Sequence, residues 1–186
     1  MQLPIEIPVK SHVSKFLAEK FPRGFRLNKR THLGIALFSM LRRENIDSQF
    51  DSFVAGYPCV FKVNVGEHSF FERGCRNVSS ETAHQFNTLV QDLIEAEMFG
   101  IIEFLEMFGV EQKQAIEVFM AKYGFDETDV KFDALKKAYQ RYWAKKNKAG
   151  KKRLKGVDFL PFLFTLQTVK ALDSRYLQKK VAKMAA

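Results

Sequence analysis

Acidic residues are missing from one long stretch of this chain. From Ala134 to Gly156 there is no Asp or Glu, although the chain carries 21 of them. A solvated helix face normally mixes signs, with Glu spaced to pair with Lys, so a gap of this length argues against a bland surface. Cysteine is scarce as well, with only Cys59 and Cys75. Two thiols make no disulfide framework, and with His12, His32, His68 and His84 they show no zinc spacing. They flank a predicted hairpin, which leaves a bridge geometrically open. The reading preferred here is two buried or half-buried thiols in a reducing cytoplasm.

Long apolar runs are missing too. Met98–Phe108 is interrupted by Glu103 and Glu106, and Phe159–Leu166 is short, so neither reaches the length of a membrane span. The start, MQLPIEIPVK, lacks a basic segment followed by an apolar one, the pattern of a signal peptide. There is no P-loop, no GxSxG, no glycine-rich dinucleotide turn, no internal repeat and no low-complexity segment. A non-enzymatic protein without cofactor, metal or membrane partner is expected.

What the chain has is cationic charge in one place. Between Lys131 and Lys155 stand eleven Lys or Arg (Lys131, Lys136, Lys137, Arg141, Lys145, Lys146, Lys148, Lys151, Lys152, Arg153 and Lys155) against one acid, Asp133. The net charge of the whole chain is +9, and residues 81–129 before this stretch are strongly acidic. Such a patch usually meets a polyanion. Nineteen Phe, five Tyr and one Trp supply the material of a real core and exclude disorder as the main state.

The pattern predicts an α+β fold, predominantly helical: a small N-terminal antiparallel sheet packed on a helical bundle, with a helix-turn-helix-like hairpin. One compact domain over 1–186 is expected, with a subdivision into a mixed part (1–78) and a helical basic part (79–186) left open. Ile5, Ile7 and Val9 alternate with Glu6 and Pro8, and Pro4 and Pro8 place that strand at an edge. Ser11 is the expected cap of a helix to about Phe21, with Val13, Phe16 and Leu17 on one face. After the basic loop PRGFRLNKR, a helix over about 31–43 aligns Leu33, Leu37 and Leu41. CVFKVNV and HSFFERG are expected to form a hairpin about Gly66. Ser79 or Ser80 caps a long helix that becomes apolar all round near Phe99, where Gly100 is a candidate kink, and Gly109 ends it. Ile116, Phe119, Met120 and Tyr123 make the next stripe, with Gly124 at a left-handed cap and Phe125 packing behind it. The following helix carries Phe132, Leu135, Tyr139, Tyr142 and Trp143 inward, and a last helix starts at Asp158 or Leu160.

The leading candidate site is the basic helix and the loop after it. Lys137, Arg141, Lys145 and Lys148 form one stripe, flanked by Lys136, and Lys146, Lys151, Lys152, Arg153 and Lys155 extend it. Cations in a row track phosphates, and each contact releases counterions. An orthodox helix-turn-helix insertion is not expected, since Asp126 and Glu127 would meet the phosphates first. Tyr139, Tyr142 and Trp143 read as core before they read as base-stacking platforms, with Trp143, near the basic loop, the first candidate exception. Glu81-x-x-His84 is half of a di-iron motif without its second copy. Glu95, Glu97, Glu103 and Glu106 are read as an exposed helix side or as ion-pair partners of the basic segment in preference to a nuclease carboxylate set. A ribbon-helix-helix dimer at the N-terminus is a minor alternative.

The segment AKYGFDETDVKFDALKKAYQRYW, with the basic tail after it, resembles small uncharacterised proteins carried by prophages and conjugative elements, over about the last half of the chain. The resemblance implies a bacterial or phage-infected cytoplasm and transfers no functional residue. The function expected is DNA binding by a phage or mobile-element protein, in regulation, replication or packaging, with room for a homo-oligomer. The alternative is a protein–protein adaptor or structural phage component whose basic segment docks on an acidic partner.

Overall fold

The computed structural model describes residues 1–42 and 48–149. The predicted C-terminal helix and the cations Lys151, Lys152, Arg153 and Lys155 lie outside the described residues. The fold is α+β and predominantly helical, with three strands and seven α-helices among the described residues. They fall into two compact units, one made of Met1–Ile94 and Met120–Lys131, the other of Glu95–Phe119 and the described residues from Phe132 on.

The first unit is built on the sheet. Strand β1 (Gln2–Val9) buries Ile5, Ile7 and Val9, as its alternation predicts. Strand β3 (Cys59–Gly66) lies in the middle, antiparallel to β1 from Gln2↔Gly66 to Val9↔Cys59. The two-residue strand β2 (Phe25–Arg26) runs parallel to it on the other side. The sheet is therefore mixed, and the basic loop PRGFRLNKR supplies its third strand. β1 keeps the edge position that Pro4 and Pro8 require, and its ladder within the chain is made with β3.

The expected hairpin does not form. Both sides of β3 are already taken, so a returning strand has no partner. Gly66 has φ −67° and ψ 142°, an extended residue instead of the left-handed one that a tight hairpin turn requires. HSFF turns instead into a short helix, α4 (Glu67–Phe71).

Helix α1 (Ser11–Lys20) buries Val13, Phe16 and Leu17 together with His12. Its cap is Lys10, not Ser11, and the Lys10 N–H donates to Asn87 Oδ1 at 2.9 Å. His12 bonds Gln91 at 2.8 Å, and burial holds its pKa below the ordinary value. Helix α2 (His32–Leu41) begins as expected at Thr31, whose hydroxyl accepts from Gly34 N at 3.1 Å. Leu33, Leu37 and Leu41 are buried. A Cβ on Gly34 would stand 2.0 Å from the Asn28 carbonyl oxygen, so only glycine lets the preceding loop close this tightly over the helix. Between α2 and β3 lies α3 (Asp51–Val54). Cys75 is buried, Cys59 half-buried, and both are free.

Helix α5 (Ser80–Met107) is continuous; Gly100 does not divide it into two helices. Ser79 is its cap, accepting from Thr82 N at 3.1 Å. Gly109 ends it at φ 73°, with Val110 N bonded to Leu105 O at 3.1 Å. Helix α6 (Gln112–Tyr123) ends at Gly124, φ 61°, and Phe125 N reaches back to Met120 O at 2.9 Å. The Phe125 ring stacks on Tyr123, with centroids 5.5 Å apart. Nothing lies within 4 Å of a Cβ built on Gly124, so only the backbone opposes a substitution there. Gly124→Val is expected to cost about 1–2 kcal/mol and Gly124→Asn clearly less. Urea denaturation of both variants checks this, and equal midpoints would exclude a left-handed strain at this position.

Candidate nucleic-acid interface

Helix α7 (Phe132–Ala149) carries the described part of the basic stretch. Its 18 residues span about 27 Å. One side packs in the second unit through Leu135, Ala138 and Tyr139, all buried, with Phe132 and Tyr142 half-buried. Phe99 of α5 stacks on Tyr142 with centroids 4.3 Å apart and meets Tyr139 at 6.0 Å.

The hydroxyls of this aromatic side are each tied to a carboxylate of α5. Tyr139 donates to Glu106 Oε2 at 2.7 Å, and Tyr142 donates to Glu103 Oε1 at 2.9 Å. The same Glu103 oxygen takes the Lys146 ammonium at 2.5 Å. Burial and the carboxylate contacts raise both phenol pKa values, so the two tyrosines stay protonated donors. Burial pulls the Lys146 ammonium down, but its bond to Glu103 more than offsets this and holds it above the usual lysine range. Glu103 and Glu106 thus act as partners of the aromatic and basic helix. Among the described residues no cluster of His, Cys, Asp or Glu is arranged to hold a metal ion.

The other side of α7 is cationic, with the exposed Asp133 of the first turn its one acid. Lys136, Lys137, Arg141 and Lys145 are all exposed. Among the described residues none of the four is paired with a carboxylate, and the Arg141 Nε donates back to the Lys137 carbonyl at 3.3 Å. Lys137, Arg141 and Lys145 follow one another at four-residue spacing, about 6 Å of axial rise each. Lys148 continues the sequence of this stripe within the same helix. Lys146 stands apart from the others, being held by Glu103 with its Nζ 5.7 Å from the Tyr142 ring centroid.

Trp143 differs from expectation. It is 44% exposed, not part of the core. Tyr139 lies against it at 6.3 Å with the rings 25° apart, and Lys146 Nζ is 5.8 Å from its centroid. Periodicity places Trp143 at the margin of the apolar stripe, and every residue from Trp143 to Asn147 is exposed.

The acidic turn ahead of α7 is also organised differently from a helix-turn-helix. Asp126, Glu127 and Thr128 lie in a loop before the helix and not on its first turn, since α7 starts at Phe132. Within the first unit Asp126 Oδ1 accepts from Thr128 N at 2.8 Å and from Asp129 N at 3.1 Å. Those contacts, led by the Thr128 hydroxyl and joined by Lys15, hold the Asp126 carboxyl far below the usual range. Lys15 of α1 bridges Asp126 at 3.2 Å and the buried Asp129 at 2.5 Å. The loop acids serve the fold of the first unit.

His84 stacks on Phe50 at 4.6 Å and bonds the Tyr57 hydroxyl at 3.2 Å, while Glu81 accepts from Gln85 at 2.6 Å. The Glu81/His84 pair is therefore engaged in local packing. No helix among the described residues is long and apolar enough to cross a membrane. Comparison with protein-family models, with curated proteins and with solved structures gives no match.

Proposed function

We propose that this protein binds nucleic acid, DNA in the first place, through the cationic face of α7, and that it does so without catalysis, as part of a phage or mobile element. One observation carries the reading: Lys136, Lys137, Arg141 and Lys145 stand exposed on one helix, none of them paired with a carboxylate among the described residues, while Glu103 and Glu106 are bound to Tyr139, Tyr142 and Lys146. Like charges four residues apart destabilise a helix by about 0.2–0.5 kcal/mol per pair. Phosphates relieve that repulsion and release counterions as they bind. Contacts of this kind fix position on a backbone and carry little base information.

The test is a mobility titration of the full chain with DNA at two or more salt concentrations. Affinity is expected to fall steeply with salt, by about 0.9 decade per decade of salt for each phosphate contacted, and heparin should compete. Binding that is indifferent to salt and heparin would point to a protein partner and overturn the reading.

A further inference from the structure

We propose that the ligand of this face is single-stranded, and that Trp143 stacks one of its unpaired bases while Lys136 holds a phosphate beside it. The inference rests on the nucleic-acid reading above.

A large apolar ring in the open is a cost to the folded chain unless something covers it. Trp143 is 44% exposed in the most cationic stretch of the molecule. Its surroundings suit a π-faced anion and no apolar partner. Lys136 precedes it by seven residues, two helical turns, on nearly the same bearing and about 10 Å along the axis. Lys146 Nζ lies over the ring, 5.8 Å from its centroid. A hydrophobic protein surface docking there would bury these ammonium groups against apolar atoms, which is unfavourable without paired anions. A nucleotide brings both parts, a base for the ring and a phosphate for the cation.

The ring is also held in place before anything binds. Tyr139 stacks against it, and Tyr139 is itself fixed by burial and by its bond to Glu106 at 2.7 Å. Lys146 is fixed by Glu103 at 2.5 Å. A platform that is already ordered loses little entropy on stacking. Duplex DNA cannot use it, because the faces of paired bases are covered by their neighbours, whereas a single strand offers every base face.

Trp143 is the only tryptophan in the chain, so intrinsic emission reports this one position. Oligo-dT of about 20 nucleotides should quench it along the same isotherm that anisotropy gives for binding, and should shield it from acrylamide. A 20-base-pair duplex should do neither. Trp143→Ala should lose roughly 5- to 150-fold in oligo-dT affinity with duplex affinity and melting temperature unchanged. Acrylamide shielding in the unmutated protein keeps the test valid if the variant is unstable. Oligo-dT and duplex binding with equal affinity, with no shielding, would overturn the stacking assignment and leave the phosphate-binding face standing. If oligo-dT, duplex and heparin all fail to bind, the parent reading falls, and this one with it.

Discussion

Replacing Lys137, Arg141 and Lys145 together by Ala is expected to weaken DNA binding on the order of 10²–10³-fold at about 0.1 M salt, across all sequences alike. Each side chain is exposed and, among the described residues, paired with no carboxylate, so each is free to meet one phosphate. Three lost contacts should flatten the log K against log salt slope by about 3. Because none of the three is packed, the melting temperature should hold or rise slightly as like-charge repulsion is relieved. Lys146→Ala should behave in the opposite sense. Its ammonium is bound to Glu103, so its loss should touch stability before it touches the salt slope. An unchanged slope in the triple variant would move the binding surface elsewhere, first to Arg26, Lys29 and Arg30 of the N-terminal basic loop.

The second large effect is expected inside the first unit. Asn87→Leu should destabilise the protein by about 2–4 kcal/mol, more than twice a typical surface change. Asn87 is 2% exposed, eight residues into α5. Its amide donates to Pro8 O at 2.9 Å and to Ala83 O at 2.7 Å, and its oxygen accepts from Lys10 N at 2.9 Å. One side chain thus joins the end of β1 and the start of α1 to the long helix. Leucine fits the volume but leaves the part-buried Lys10 N–H and Pro8 carbonyl without this partner, and each unmet buried group costs about 1–3 kcal/mol. Urea denaturation with unchanged m-value measures the loss. A shift below about 1 kcal/mol would mean that water replaces the amide and that the joint is not buried as described.

Asn87 shows where the sequence stops being legible. Signals that act over a few residues were readable: the start of α2 near Thr31, the alternation of Ile5, Ile7 and Val9, the Gly109 and Gly124 ends, and the stripe of Leu33, Leu37 and Leu41. Each depends on a local spacing that periodicity reports directly. A polar residue on the apolar stripe with Val90 and Ile94 gives no such signal, since its partners lie 77 and 79 positions away. The hairpin failed for the same reason. CVFKVNV reads as a strand, but its neighbours are chosen across the chain, and β1 and β2 occupy both of its sides. At the basic helix the charge was legible and the aromatic side partly so. Tyr139 is buried as its spacing implies, whereas Trp143, one turn further along the same stripe, is not, because periodicity gives a residue's bearing and not how far the packing partner extends. Glu103 and Glu106 were legible only as an exposed helix side or as ion-pair partners of the basic segment; Glu106 bonds a tyrosine, and Glu103 both a tyrosine and Lys146.

The first unit returns to the chain after leaving it. Residues 120–131 complete it: Tyr123 packs on Phe16 at 5.0 Å, Phe125 meets the His12 ring at 6.3 Å, and Asp129 takes Lys15. A nascent chain that has emerged only as far as Ile94 therefore lacks part of the wall that covers α1. The N-terminal unit is complete only once residue 131 has left the ribosome. Vectorial synthesis, which lets many N-terminal units fold first, here delays the first unit until the acidic loop arrives.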